Sequence, residues 1–246
     1  MSTTMKRFLT IALAAAFLFA GSAGASIAIE DPSNGEYNIY QIWNELYDED
    51  YTSSQDVYND WGIDVLGGED LFTFNDSNQD GSFGFEAVYA NNDQEFGWYE
   101  PGDTTSLVEL AQYEDADGLL EGNPGGDLGT QDAPADPFGF YSQAGSDLES
   151  PDDTWYSESS LHGGSRHLAI FRTPGSTVGP NASAPRDWDL LLAWEDQPLT
   201  SSDKDYNDLV VGVEGIEVVP EPASMTLLGL GLAGFATRRV MSRKKG

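Results

Sequence analysis

The sequence predicts an all-β protein, an antiparallel β-sandwich or jelly roll with one or two short N-terminal helices. Three observations carry that expectation. Seven to nine short runs of strand composition follow one another with no helix alternating between them, which argues against a parallel sheet. Clusters of Gly, Asn and Asp punctuate the gaps. The last two apolar runs keep strand period: Trp188, Leu190, Leu192 and Trp194 alternate with Asp189, Leu191 and Ala193, and Leu209, Val211 and Val213 alternate with Val210 and Gly212. Both faces of this hairpin are apolar, so its arms are expected well inside a sheet.

In chain order, Ile39, Ile42, Trp43, Leu46 and Tyr47 recur at helical spacing, so residues 38 to 47 read as a short amphipathic helix packed on the sheet. Ser53 and Ser54 are candidate caps for a second helical turn through Tyr58. Strands are expected at Leu71 to Asn75, Phe83 to Ala90, Glu95 to Tyr99, Ser106 to Leu110, Phe138 to Ser142 and His167 to Arg172, ahead of the final hairpin. In the second of these, Phe83, Phe85, Ala87 and Tyr89 share one face against Gly84 and Glu86. Asp115 to Asp136 and Gly145 to Thr154, rich in Gly, Pro and Asp, read as surface loops.

The two ends read as addresses. Lys6 and Arg7 precede an apolar run from Phe8 to Ala20 and the small residues Ala23-Gly24-Ala25, the layout of a secretory signal peptide over residues 1–25. At the other end Pro220-Glu221-Pro222 precede an apolar run from Ala223 to Thr237, then Arg238-Arg239 and Arg243-Lys244-Lys245. That order resembles the PEP-CTERM sorting signal of Gram-negative bacteria. The resemblance implies recognition by an exosortase, transient anchoring in the inner membrane by this helix alone, removal of the tail, and delivery to the cell surface or extracellular matrix. Residues 26–217 are left as the β domain and 218–246 as the sorting tail.

Charge is partitioned in the same way. The region 26–219 holds 41 of the 42 acidic residues and only Arg166, Arg172, Arg186 and Lys204 as bases, a formal charge of −37. Such a surface excludes nucleic acid as a partner, since nucleic acid is bound through Lys and Arg clusters. It attracts divalent cations and equally suits solubility in salty water. Without Cys the chain has no disulfide, thiolate metal site or Cys nucleophile.

The readable chemistry lies in the turn of the final hairpin: Glu195, Asp196, Asp203, Asp205, Asn207 and Asp208. Asp203, Asp205 and Asn207 stand at alternate positions, as do the first three oxygen ligands of many calcium loops. Asp208 occupies the sixth position, where an EF-hand has its turn Gly, so the loop is not a standard EF-hand. The alternative is an acidic loop that merely faces solvent. The run LLLAWEDQPLTSSDKDYNDLVVGV is similar to the C-terminal signature of the domain family DUF4114: apolar strand, Glu-Asp, short loop, Asp-x-Asp-aromatic-Asn-Asp, apolar strand. That resemblance implies a β-rich extracellular domain that binds calcium. A second candidate, Asp76-x-Asn78-x-Asp80-Gly81, fits the first half of a calcium loop, but position twelve is Ala87 where a bidentate Glu belongs, and an Asp-Gly hairpin turn without metal explains it equally.

For catalysis the inventory is thin. His162 and His167 are the only histidines and no G-x-S-x-G elbow occurs. His167, opening an apolar strand, reads as structural. The expectation is a non-enzymatic exported protein, with calcium as structural cofactor and extracellular polysaccharide as partner, acting in adhesion or biofilm organisation. Two alternatives stand beside it: a carbohydrate-binding module, marked by exposed Trp61, Trp98 or Trp155, and a polysaccharide hydrolase, marked by two carboxylates about 5 to 9.5 Å apart in a deep cleft.

Overall fold

The computed structural model describes residues 27–64, 70–75, 81–89, 93–113, 118–119, 125–128, 135–145, 153–175 and 187–219. Helix α1 (Ile39–Tyr47) is followed by α2 (Ser54–Trp61), and then by strands β1 (Phe72–Phe74), β2 (Gly81–Val88), β3 (Asp93–Tyr99), β4 (Val108–Tyr113), β5 (Gly118–Leu119), β6 (Gly125–Leu128), β7 (Gly139–Gly145), β8 (Asp153–Tyr156), β9 (Leu168–Arg172), β10 (Leu190–Trp194), β11 (Leu209–Glu214) and β12 (Ile216–Val218). A six-stranded sheet runs β5-β2-β11-β10-β9 with β6 also on β2, a four-stranded sheet runs β4-β3-β7-β8, and β1 pairs with β12. Every strand pairing among the described residues is antiparallel. The fold is the all-β sandwich the sequence predicts.

The β10–β11 hairpin lies at the centre of the larger sheet, flanked by β9 and β2, which is why both its faces are apolar. One face, from Leu190, Leu192, Trp194, Leu209, Val211 and Val213, packs into a core with Phe96 and Trp98 of β3, Phe140 of β7 and the adjoining Phe138. The other face, Leu191, Ala193 and Val210, packs with Ile42, Trp43 and Leu46 of α1 and Val57 and Tyr58 of α2. Each such fully buried aliphatic side chain contributes roughly 1.5–3 kcal/mol of transfer free energy. Gly212 is required on this outer face: a Cβ there would run into the Trp188 indole, whose Nε1 donates to Glu86 Oε1 at 2.6 Å.

The helices obey local rules. At the start of α1, Gln41 Oε1 reaches back to accept from the Asn38 backbone N–H at 3.0 Å, one half of a capping box. The helix ends at Asp48 in the left-handed region, its N–H bonded to Asn44 O. Ser53 caps α2 through Asp56 N, and α2 runs on to Trp61, three residues beyond the expected turn. Among the described residues no helix is long and apolar enough to cross a membrane. The expected signal peptide and the tail from Pro220 onward lie outside the described residues.

Several expectations are corrected. Phe83 and Phe85 face the sandwich core, but Ala87 and Tyr89 face the helices. A register shift between Val210 and Val211 sets Ala87 against Val210 and Phe85 against Val211, leaving Glu86 as an extra residue that flips the alternation. The fourth strand is 108–113, with a similar shift between Phe96 and Gly97 on its partner. The expected loop at 115–136 contributes β5 and β6 to the larger sheet, and the loop at 145–154 gives way to β8 on the far edge of the smaller one.

Candidate metal centre

The hairpin mouth places the first acids. Trp194 and Leu209 are the last paired residues of β10 and β11, so Glu195 and Asp208, next along each arm, emerge opposite one another. The Glu195 backbone is pinned on both sides by His167: its N–H donates to His167 O at 2.9 Å, and its carbonyl lies 3.2 Å from His167 Nδ1. Asp196 N donates to Asp208 Oδ2 at 2.8 Å, Gln94 Nε2 donates to Asp196 Oδ2 at 3.1 Å, and Trp155 Nε1 donates to Asp196 O at 2.9 Å. One carboxylate oxygen from each of Glu195, Asp196 and Asp208 lies within 4.8 Å of the others.

These groups are inside the protein. Glu195 is 1% exposed, Asp196 7%, Asp208 8%, and Asp205 and Asn207 are fully buried. Yet Glu195 Oε2, Asp196 Oδ1, Asp205 Oδ2 and Asn207 Oδ1 have no hydrogen-bond partner. A buried, unpartnered carboxylate oxygen costs several kcal/mol unless a proton or a cation answers it. Nearby bases are engaged elsewhere: Arg166 with Asp64 at 3.2 Å and Asp70 at 3.4 Å, and Lys204 with Glu30 at 3.2 Å.

Burial and mutual repulsion raise the carboxyl pKa values across the cluster. Burial, with the charges of Asp203 and Asp196, raises the Glu195 carboxyl to about 7, and a hydrogen bond with Asp208 offsets part of the rise. Burial raises Asp205 to about 7, helped by Asp203, Glu195 and Glu36. Asp208 is pushed well above the usual range by burial and by Asp196 and Glu195, and Asp196 upward chiefly by burial.

The rest of the loop makes a second group. Lys204 (φ 58°) and Tyr206 (φ 57°) both take the left-handed conformation uncommon for non-glycine residues. Tyr206 is held there by its hydroxyl, which donates to Arg166 O at 2.8 Å. Asp203 and Asp205 converge with Glu36, each offering an oxygen within 4.8 Å of the others. Thus the six predicted loop residues do not form one point: Asp203 joins Glu36, whereas Glu195, Asp196 and Asp208 stand together. Glu36 was invisible to sequence spacing, since it lies far upstream of the loop. Asp76, Asn78 and Asp80 lie outside the described residues, as do Pro220, Glu221, Pro222, Arg238 and Arg239.

At the opposite end of the hairpin an open depression of about 510 Å³ is lined by Asn75, Ser82, Asp187, Asp189 and Glu214. Two of its acids are partnered: Asp189 Oδ2 accepts from Gly215 N and Asn75 Nδ2, and Glu214 Oε2 from Ser82 Oγ. The candidate sugar-platform residues are also accounted for. Trp98 is fully buried and Trp155 9% exposed, and Trp61 is part-buried with Nε1 bonded to Tyr51 Oη. His167 stacks on Trp155 at 3.6 Å between ring centroids, and its pKa is lowered to about 4, mainly by burial.

Together these features define an all-β sandwich whose central hairpin closes on buried, under-satisfied carboxylates. Comparison with known proteins adds an address: residues 218–240 match the PEP-CTERM protein-sorting motif. The motif marks an exported protein sorted by exosortase to the cell surface in Gram-negative bacteria. No curated protein and no solved structure matches the chain.

Proposed function

We propose that the chain is a calcium-stabilised surface or matrix protein that works by binding, in adhesion or in organising exopolysaccharide and biofilm, with extracellular polysaccharide as partner. The observation that carries this reading is the buried trio Glu195, Asp196 and Asp208 with its unpartnered oxygens. All the donors are hard oxygens, and neither proposed group contains His or Cys, a set suited to calcium rather than zinc. Similarity of the hairpin to the DUF4114 pattern supports the same reading.

Calcium that binds only the folded state stabilises it by about 2.7 kcal/mol at 100 times Kd. For a domain of this size that is a rise in melting temperature of about 5–10 °C. Thermal melts in EGTA, calcium and magnesium test it. Calcium is expected to restore the EGTA-lowered transition, and magnesium to do so much less because it dehydrates reluctantly and demands octahedral geometry. Melting indifferent to EGTA, or equal recovery with both ions, would show that the acids are only screened. For the tail, intact-mass measurement of surface-released protein is expected to find a chain ending near Pro222. Recovery of material through Gly246 would refute its removal.

A further inference from the structure

We propose that Glu36, Asp203 and Asp205 hold a second calcium ion, which clasps the N-terminal segment 27–38 onto the hairpin loop. This rests on the calcium reading above and assigns to Glu36 a role that the hairpin alone does not contain. The three carboxylates come within 4.8 Å of one another from parts of the chain remote in sequence, and they are graded in exposure: Asp203 open to solvent, Glu36 half-buried, Asp205 fully buried.

The same stretch of the loop holds two unanswered oxygens. Asp205 Oδ2 and Asn207 Oδ1 are buried without partners. Asn207 Nδ2 donates to Tyr37 O at 2.8 Å, which sets this amide beside the residue that follows Glu36. Asn34 aligns the acids from the other side: Nδ2 donates to Glu36 Oε2 at 2.6 Å and to Asp203 Oδ2 at 3.2 Å, while Oδ1 accepts from Glu36 N at 3.1 Å. A single neutral amide thus holds two like charges together. Three carboxylates and an amide oxygen, with water completing the open side, supply the six to eight oxygens that calcium takes.

The segment also meets the loop at Lys204. Glu30 N donates to Lys204 O at 3.0 Å, and the Glu30–Lys204 ion pair at 3.2 Å is exposed and therefore weak. A cation at Glu36 converts a solvent-screened contact into a cross-link between segment 27–38 and the central hairpin.

Calcium titration calorimetry on the full chain and on Glu36→Gln, with hydrogen exchange of residues 30–37 alongside, tests the clasp. Glutamine keeps the acceptor for Asn34 and removes only the charge. The parent is expected to bind two calcium ions and Glu36→Gln one. Calcium should slow exchange of the segment by about tenfold in the parent and leave it unchanged in the variant. Two ions in both proteins, or one in both, would overturn the clasp and leave the Glu195 site standing. One ion in the parent and none in the variant would merge the groups into a single site and equally overturn it. No calcium in the parent would overturn the underlying reading itself.

Discussion

Stripped of divalent cations, the domain is expected to lose stability as the pH rises from about 4 to about 7, the reverse of ordinary acid denaturation. Glu195 and Asp205 have folded-state values of about 7 against ordinary values of 4.5 and 3.8, and Asp196 and Asp208 are raised in the same direction. Between the unfolded and folded values the native state holds more protons than the unfolded chain, so the slope of stability with pH is negative there. The contribution is fully present below about pH 4 and is lost as pH rises through about 7.

Rises of this size correspond to at most about 3–4 kcal/mol for one group, and the titrations are shared, so the contributions do not simply add. The charges facing the cluster, Asp203 and Glu36, reinforce the trend. Excess calcium should reverse the slope, because the metal takes deprotonated carboxylates. Melting temperature against pH, in EGTA and in calcium, reads both slopes. General repulsion on so acidic a surface produces a similar trend in EGTA, so Glu195→Gln with Asp208→Asn is the control. Should that variant keep the parent's slope, or the parent show none, the buried carboxylates are not its source.

The second large effect is in the core. Replacing Trp98 by Ala should cost about 3–5 kcal/mol, a major share of the usual 5–15 kcal/mol margin. Trp98 is fully buried between the two sheets, its ring centroid 5.4 Å from Phe138 and 6.4 Å from Phe74. Chemical denaturation is expected to show the midpoint falling while calcium binding to the surviving folded fraction stays intact. Trp98→Phe, which refills most of the volume, should cost markedly less. A loss under 1 kcal/mol for the alanine variant, or loss of polysaccharide binding without loss of stability, would return Trp98 to a ligand-facing role.

What the residues announce on their own is local. The period-two hairpin from Trp188 to Val213, the spacing of Ile39, Ile42, Trp43 and Leu46, the cap at Ser53 and the ordered motif from Pro220 to Arg239 depend on near neighbours, so they are readable in one dimension. The acids of the hairpin turn could be named in the same way, because they stand between two runs of strand period.

Other features needed the third dimension. The extra residue at Glu86 shows itself only against the β11 register, and it moves Ala87 and Tyr89 from the sandwich core to the face under the helices. Strands β5, β6 and β8 look like polar loops because their partners, not their composition, make them strands. Whether the turn acids are solvated could not be read from charge alone. Burial divides them: Glu195, Asp196, Asp205, Asn207 and Asp208 are buried and Asp203 is exposed, with contacts from far upstream such as Asn34 to Asp203 and Asn207 to Tyr37. Sequence by itself determined the strands of marked apolar period, the sorting address and the acids of the hairpin turn. Only the tertiary structure decided which carboxylates share an enclosure and that Glu36 joins them, because desolvation depends on everything that packs around a group.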